Sequence, residues 1–163
     1  MNYLDKIGYF GPIVLLLLIL VMISTTNQSH NIYLYIYVIV WQVLNHLSNI
    51  VIKNTLRYPR PDSGENKEFK QLNPTMYNYF SIHRNFGMPS GHAQQVLSEL
   101  TFIVLYFKNP LLTTFSIIQS CITLWQRYSA SRHSINQLAV GSFIGIISGV
   151  IFYKLNPFTI NYK

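Results

Sequence analysis

Three short segments of this chain carry side chains that can bind phosphate. They read Lys-Asn-Thr-Leu-Arg-Tyr-Pro-Arg-Pro over residues 53–61, Pro-Ser-Gly-His over 89–92, and Arg-Tyr-Ser-Ala-Ser-Arg-His-Ser-Ile-Asn-Gln over 127–137. Together they supply two histidines, several fixed cations and a turn of small residues. These groups can hydrolyse a phosphate ester or anhydride, because cations neutralise the oxygens while a neutral imidazole attacks phosphorus in line. The segments therefore predict phosphoryl transfer without a metal ion.

The spacing within the segments resembles the type 2 phosphatidic-acid phosphatase superfamily, whose fold is shared with vanadium haloperoxidases. The superfamily pattern is K-x6-R-P, then P-S-G-H, then S-R-x5-H-x3-D. The positions that match it are Lys53, Arg60, Pro61, Pro89, Ser90, Gly91, His92, Arg127 and His133. Two positions depart from it, since Gln126 stands where Ser is usual and Gln137 where Asp is usual.

The resemblance implies a role for each matching residue. His133 is implied as the nucleophile that forms a phosphohistidine, and His92 as the general acid that protonates the leaving oxygen and later activates water. The implied phosphate ligands are Lys53, Arg60, Ser90, Gly91 and Arg127. An Arg side chain offers a planar fork to two oxygens, whereas Lys acts as a point charge. The resemblance implies no metal and no organic cofactor.

Plainer interpretations exist for each type of residue. Cations beside apolar stretches ordinarily anchor membrane spans, and Ser90 is also suited to be a helix N-cap. A lone histidine near a membrane end is usually interfacial, which is how we interpret His30, His46 and His83. The motif positions of the other two histidines favour chemistry over that default.

Gln137 is the most consequential departure from the superfamily pattern. The usual Asp accepts the N–H of the nucleophile and stabilises its protonated form. Gln137 lies four residues after His133, on the same helical face, so its carbonyl can accept the same bond without adding charge. Dolichyl-diphosphatase-like members resemble this chain in having Gln there, and their Tyr-Gly-Met-Pro-Ser-Ser-His-Ser-Gln stretch is similar to residues 86–94. We therefore group Gln137 with the catalytic residues. Its presence indicates either a branch of the superfamily that is built around Gln or an enzyme with weakened activity.

The composition indicates a membrane protein. The chain has 163 residues, of which 50% are hydrophobic and 10% charged, whereas soluble domains carry about 25% charged residues. A net charge of +7 raises the possibility of nucleic-acid binding, but six of the twelve Lys and Arg residues lie between Lys53 and Arg84, beside apolar stretches. Anionic lipid headgroups explain that distribution better than nucleic acid does. The single Cys121 excludes an internal disulfide.

Five apolar segments predict an all-α membrane bundle forming one domain over residues 1–163. They cover residues 10–24, 31–52, 91–107, 110–125 and 134–153, near the ~20 residues that a bilayer core requires. We interpret the first as a retained span rather than a cleavable signal peptide, because little positive charge precedes it. Residues 62–88 are polar and predict an extramembrane loop beside the motif core of residues 53–149. With five spans, all three motifs fall on one membrane face.

Smaller patterns within these segments predict how the helices pack. Aromatic residues near the start of the second segment predict an interfacial belt; they are Tyr33, Tyr35, Tyr37 and Trp41. The spacing of Gly141, Gly145 and Gly149 predicts a close helix-packing face. Glu99 lies within an apolar segment, where we expect it to hydrogen-bond to Gln42, Asn45 or Gln119.

These observations predict an integral membrane enzyme that hydrolyses a lipid phosphate in the bilayer. By resemblance, the preferred substrate is a polyprenyl diphosphate, which would be converted to the monophosphate. One alternative is a phosphatase of phosphatidate or another lipid monophosphate. Another is an inactive lipid-binding membrane protein, since the usual Asp and Ser are missing and the chain is short. A haloperoxidase is disfavoured, because those relatives are soluble and much longer.

Two indications of membrane orientation oppose each other. Cations other than the phosphate ligands concentrate on the predicted active face, so the positive-inside rule places the site in the cytoplasm. The resemblance implies the non-cytoplasmic face of the endoplasmic reticulum, another internal membrane or the plasma membrane. We adopt the second expectation.

Overall fold

A computed structural model describes residues 3–25, 31–61 and 86–158. Within these ranges the chain forms six helices: α1 (Tyr3–Tyr9), α2 (Gly11–Thr25), α3 (Asn31–Leu56), α4 (Gly91–Phe107), α5 (Pro110–Ser129) and α6 (Ile135–Leu155). Extended backbone pairs in these ranges only at a single bridge between Pro59 and Phe86. The predicted all-α fold is therefore confirmed. Residues 62–85 of the predicted loop, which include His83, lie outside the described residues, and so does His30.

Two of the helices, α3 and α6, are long and apolar enough to cross a membrane, and the bent pair α1–α2 makes a third if it forms one span. Their outer faces expose large apolar side chains, such as Leu17, Val43 and Phe143 at 55%, 53% and 64%, as expected of a surface that contacts lipid. The predicted count of about five spans is not confirmed. Helices do occupy the third and fourth predicted segments, but both carry buried polar side chains.

The first predicted span is broken in two. Helices α1 and α2 meet at an angle of 61°, beside Pro12, which has no N–H to donate to the carbonyl of Gly8. Two glycines that flank the bend let this part of the chain lie directly against α5. A Cβ on Gly8 would lie 2.8 Å from the carbonyl oxygen of Ile122, and one on Gly11 would overlap Thr123. The N-terminal segment is therefore docked onto the bundle.

An aromatic cluster closes the end of the bundle where α4 and α6 finish. The ring of Phe152 lies 4.3 Å from that of Phe102 and 5.0 Å from that of Trp41, between centroids. The Tyr37 hydroxyl donates to the carbonyl of Phe152 at 2.7 Å. Tyr37 and Trp41 therefore pack against Phe152, a contact that the aromatic pattern did not predict. The interfacial belt itself stays a prediction.

The predicted glycine face is confirmed. Gly141, Gly145 and Gly149 are buried on α6 and face main-chain atoms of α4 at three successive turns, at Ser90, Gln94 and Ser98. A Cβ on Gly149 would lie 2.6 Å from the carbonyl oxygen of Ser98. This close contact fixes how the start of α6 lies relative to the start of α4.

A larger side chain at Gly145 should therefore destabilise the bundle. Its Cβ would overlap the Gln94 carbonyl, which belongs to the α4 backbone and cannot rotate away. We expect Gly145→Val to cost about 1–3 kcal/mol or more and to lower the thermal midpoint in detergent, followed by circular dichroism. Ile146→Val, at a neighbouring residue that is 43% exposed, is the matched control and should leave the midpoint unchanged. Equal midpoints for the two variants would contradict this packing.

Candidate active site

The three sequence motifs meet at one cavity of about 430 Å³. Its wall includes two motif histidines and the motif cations, together with the glycine that begins α4; these residues are Lys53, Arg60, Gly91, His92, Arg127 and His133. They come from four places in the chain, namely the end of α3, the segment after it, the start of α4, and the end of α5 with the turn that follows. The predicted convergence of the motifs is therefore found in the structure.

The first motif bends as soon as α3 ends. Lys53 lies in the last turn of α3 and is 8% exposed. Arg57 has a φ of 49°, a left-handed conformation that stops the helix and redirects the chain. Gly87 then donates to the carbonyl of Tyr58 at 2.7 Å, and Arg60 donates to the carbonyl of Arg132 at 3.4 Å. These contacts hold the first motif against the second and the third.

Within the second motif, Ser90 serves the fold. It is fully buried, and its hydroxyl accepts from the N–H of Ala93 at 3.4 Å as the N-cap of α4. Its own N–H donates to the carbonyl of Gln137 at 3.0 Å. The N-cap interpretation of Ser90 is confirmed, while a direct contact with phosphate stays a prediction. Gly91 and His92, by contrast, lie on the cavity wall.

The third motif is a tight turn that joins α5 to α6. Arg127 lies in the last turn of α5, and its carbonyl accepts from the N–H groups of both Arg132 and His133, at 3.1 and 3.2 Å. Ser134 is the N-cap of α6 and forms a capping box with Gln137. The main chains of Arg127 and His133 are thereby fixed relative to the same turn.

The side-chain amide of Gln137 decides which nitrogen of His133 faces the cavity. Its Nε2 donates to the carbonyl of Pro59 at 2.7 Å. A carbonyl only accepts hydrogen bonds, so the amide oxygen must point the other way, towards His133 Nδ1 at 3.2 Å. Nδ1 therefore carries the proton and donates it. The other nitrogen, Nε2, keeps its lone pair, which is the group that a nucleophile needs.

The electrostatic surroundings keep His133 neutral. It is 2% exposed. Burial, and then the charges of Arg60, Arg127 and Lys53, lower the pKa of His133 from 6.5 to about 2, although the hydrogen bond that Nδ1 donates to Gln137 acts in the opposite direction. A lowered pKa means that the imidazole stays neutral as the pH falls through 6.5. The neutral imidazole is the nucleophilic form.

A buried polar network supports the α4 end of the site, and most of it was not predicted. Asn49 Nδ2 donates to the carbonyl of Pro89 at 3.3 Å and to Gln94 Oε1 at 2.8 Å, and Gln94 Nε2 donates to Asn45 Oδ1 at 2.8 Å. A signal was available, because Asn45, Asn49 and Lys53 lie four residues apart on one stripe of an apolar helix. Such a stripe usually faces a protein interior.

The same network extends to Glu99. Gln42 Nε2 donates to Glu99 Oε1 at 2.8 Å, and Gln95 Nε2 donates to Gln42 Oε1 at 2.6 Å. The expected bond to Gln42 is therefore confirmed. Gln119, another expected partner, instead donates to the carbonyl of Ile7 at 3.0 Å.

Further residues on the cavity wall were not predicted. His46 is one of them, so its interfacial interpretation was incomplete. The bent N-terminal pair supplies four more, Tyr9, Pro12, Ile13 and Leu16. They add apolar surface to a cavity wall that also carries cations. Among the described residues, no three His, Cys, Asp or Glu side chains are grouped so as to hold a metal ion.

A comparison with protein families agrees with this site. The sequence model of the PAP2 superfamily matches residues 31–160, a range that includes all three motifs and excludes α1 and α2. No curated protein and no solved structure matches the chain.

The low pKa of His133 gives a prediction for the protein without bound phosphate. Since the neutral form persists below the ordinary value of 6.5, the imidazole ¹⁵N shifts of His133 should stay those of the neutral Nδ1–H tautomer between pH 8 and pH 5. NMR of ¹⁵N-histidine-labelled protein in detergent measures this, with His133→Asn used to assign the signal. A titration midpoint near 6.5 would show that burial and the cations do not act as described.

Proposed function

The chain belongs to the PAP2 superfamily, and we propose that it is a membrane lipid phosphatase that uses His133 as its nucleophile. Members of this superfamily are phosphatases, which supports a phosphate-hydrolysing enzyme that acts on lipid-type phosphates. The helices long and apolar enough to cross a membrane are consistent with a substrate held in the bilayer.

One observation carries the proposal: three cations surround a buried imidazole whose lone pair is left free. Lys53, Arg60 and Arg127 line the same cavity as His133, and the Gln137–Pro59 hydrogen bond fixes the His133 tautomer. Cations so placed neutralise the equatorial oxygens that carry charge in phosphoryl transfer. Side chains that only anchored the protein at a membrane interface would need neither the burial of His133 nor its fixed tautomer.

In the proposed mechanism, His133 Nε2 forms a bond to phosphorus while the bond from phosphorus to the leaving oxygen breaks. His92 gives its proton to that oxygen. A water molecule then attacks the phosphohistidine, loses a proton to His92 and releases phosphate and neutral His133. The Nδ1 proton stays on the ring throughout, held by Gln137. The protonated ring of the intermediate is thus stabilised by a neutral acceptor.

The proposed substrate is a polyprenyl diphosphate, hydrolysed to the monophosphate. The Gln at position 137 and the segment 86–94 support this, since both are similar to the dolichyl-diphosphatase-like branch. Three cations suit a diphosphate headgroup, and the apolar surface of the cavity wall suits the adjoining chain. A phosphatidate or other lipid-monophosphate phosphatase is the second candidate, because the same cations bind a monophosphate. We place the site on the non-cytoplasmic face.

Several contacts of Gln137 favour a working site over a decayed one. Its side chain bonds to His133, Ser134 and Pro59 and has no exposed surface. A Cβ on Gly87 would overlap this side chain. Side chains that have lost their function are not expected to keep such close contacts on every side.

Hydrolysis should be independent of metal and sensitive to vanadate. Purified protein is assayed for phosphate release from a polyprenyl diphosphate, phosphatidate and a soluble sugar phosphate, with and without EDTA. We expect release from the lipid diphosphate to be fastest, unchanged by EDTA and blocked by vanadate, which mimics five-coordinate phosphorus. His133→Ala is the baseline and should form no acid-trappable phosphoenzyme. Activity that vanishes with chelator and returns with magnesium would falsify the mechanism, and preference for phosphatidate would select the second substrate.

Substitutions at Gln137 test whether the site is built around an amide. Gln137→Ala frees the imidazole and should reduce kcat/KM by about 10²-fold or more. Gln137→Asp is one methylene too short to bridge His133 and Pro59, and should be similarly slow. Gln137→Glu keeps the length but places a carboxylate against the Pro59 carbonyl and raises the pKa of His133, so its rising pH limb should move upward. A large gain for Gln137→Asp at every pH would instead identify a degenerate enzyme that lacks its Asp.

A further inference from the structure

We propose that Tyr9, on the N-terminal helix outside the family match, is a positioning residue that orients His92 for proton transfer. The inference rests on the proposed function of His92 as acid and base. It assigns a role to the α1–α2 segment, which contains none of the three motifs.

Several features fix Tyr9 at the cavity. It is the last residue of α1, between the two glycines that let α1 approach α5. Gln119 on α5 donates to the carbonyl of Ile7 at 3.0 Å, which ties the same turn of α1 to the bundle. The bend of 61° that follows turns the chain away from the α1 axis. The docked glycines and the bend therefore hold the Tyr9 main chain and ring close to α4.

Tyr9 contacts two residues of the motif set. The Tyr9 ring lies 5.5 Å from the His92 imidazole, between centroids, and Arg127 Cζ lies 5.9 Å from the centre of the same ring. The ring is thus placed between the implied acid and an implied phosphate ligand.

The contact with the Tyr9 ring restricts the orientation of the His92 imidazole. The two rings are tilted by 45° to each other, and Arg127 lies over the same Tyr9 ring. A restrained imidazole keeps one nitrogen towards the leaving oxygen and the attacking water. His92 can therefore give a proton to the leaving oxygen and later take one from water without turning its ring.

A rival account is that Tyr9 only packs α1 against the bundle. The two accounts differ in which substrates they affect. Misplacing a general acid slows substrates with poor leaving groups more than those with good ones, because help from an acid scales with the need for it. Loosened packing slows both alike. Aryl and alkyl phosphates of graded leaving-group pKa provide the comparison.

The first experiment measures kcat/KM for Tyr9→Ala, Tyr9→Phe and, as a matched control on the same helix, Tyr3→Ala, which alters a side chain that is 86% exposed. We expect Tyr9→Ala to lose about tenfold or more on the alkyl phosphate and clearly less on the best aryl leaving group. Tyr9→Phe keeps the ring and should restore most of the selective loss. Equal losses on all substrates would overturn the proposal.

A double-mutant cycle gives an independent readout. If Tyr9 acts through His92, then Tyr9→Ala should add little to the loss already caused by His92→Ala on the alkyl phosphate. Losses that multiply would mean that Tyr9 acts elsewhere, and would also overturn the proposal. Wild-type protein that releases no phosphate from any substrate would instead refute the proposed function, so the two failures can be told apart.

The position of the Tyr9 ring is tested through Gly11. A Cβ there would overlap the Thr123 hydroxyl, so Gly11→Ala should move α1 and reproduce the leaving-group dependence of Tyr9→Ala. Removing the obstacle in Gly11→Ala/Thr123→Ala should recover activity. A double variant no better than Gly11→Ala, with both eluting as wild type in size-exclusion chromatography, would argue against docking as the cause.

Discussion

The hydrogen bond between Gln137 Nε2 and the Pro59 carbonyl is the contact on which the arrangement of the site depends. It joins residues 78 positions apart, and it orients the amide so that its oxygen faces His133. The main-chain carbonyl of the same Gln137 accepts from Ser90. One buried residue thus connects all three motifs, and the tautomer of His133, the proposed nucleophile, follows from the connection.

The remainder of the bundle can be understood as the support that such a site requires. Cations and amides buried among apolar helices are costly unless their polar atoms find partners. The partners lie in a middle layer that includes Gln42, Asn45, Asn49 and Gln94. Beyond it lies the aromatic cluster around Phe102 and Phe152. The buried cations Lys53 and Arg127 therefore lie together at one end of the bundle, where the proposed phosphate headgroup would bind.

Local spacing made much of this predictable, and long-range contacts account for the rest. The motif histidines, the bounds of α4 and the glycine face of α6 follow from residues close in sequence. The bridge from Gln137 to Pro59 does not, because nothing local in either segment identifies its partner. The bend at Pro12 was missed because the apolar run of residues 10–24 dominated the pattern. The inward packing of Trp41 depends on Phe152, which is far away in sequence.

The neutral amide oxygen of Gln137 orients His133, and a neutral partner suits the charges around this histidine. Among the described residues, no carboxylate lines the cavity, whereas Lys53, Arg60 and Arg127 all do. A carboxylate at position 137 would compete with phosphate for these cations, since an opposite charge nearby favours ion pairing. It would also favour the protonated form of His133 before substrate binds. An amide orients the ring without either effect. In the proposed mechanism, this leaves the cations to the substrate and keeps the imidazole neutral until it attacks phosphorus.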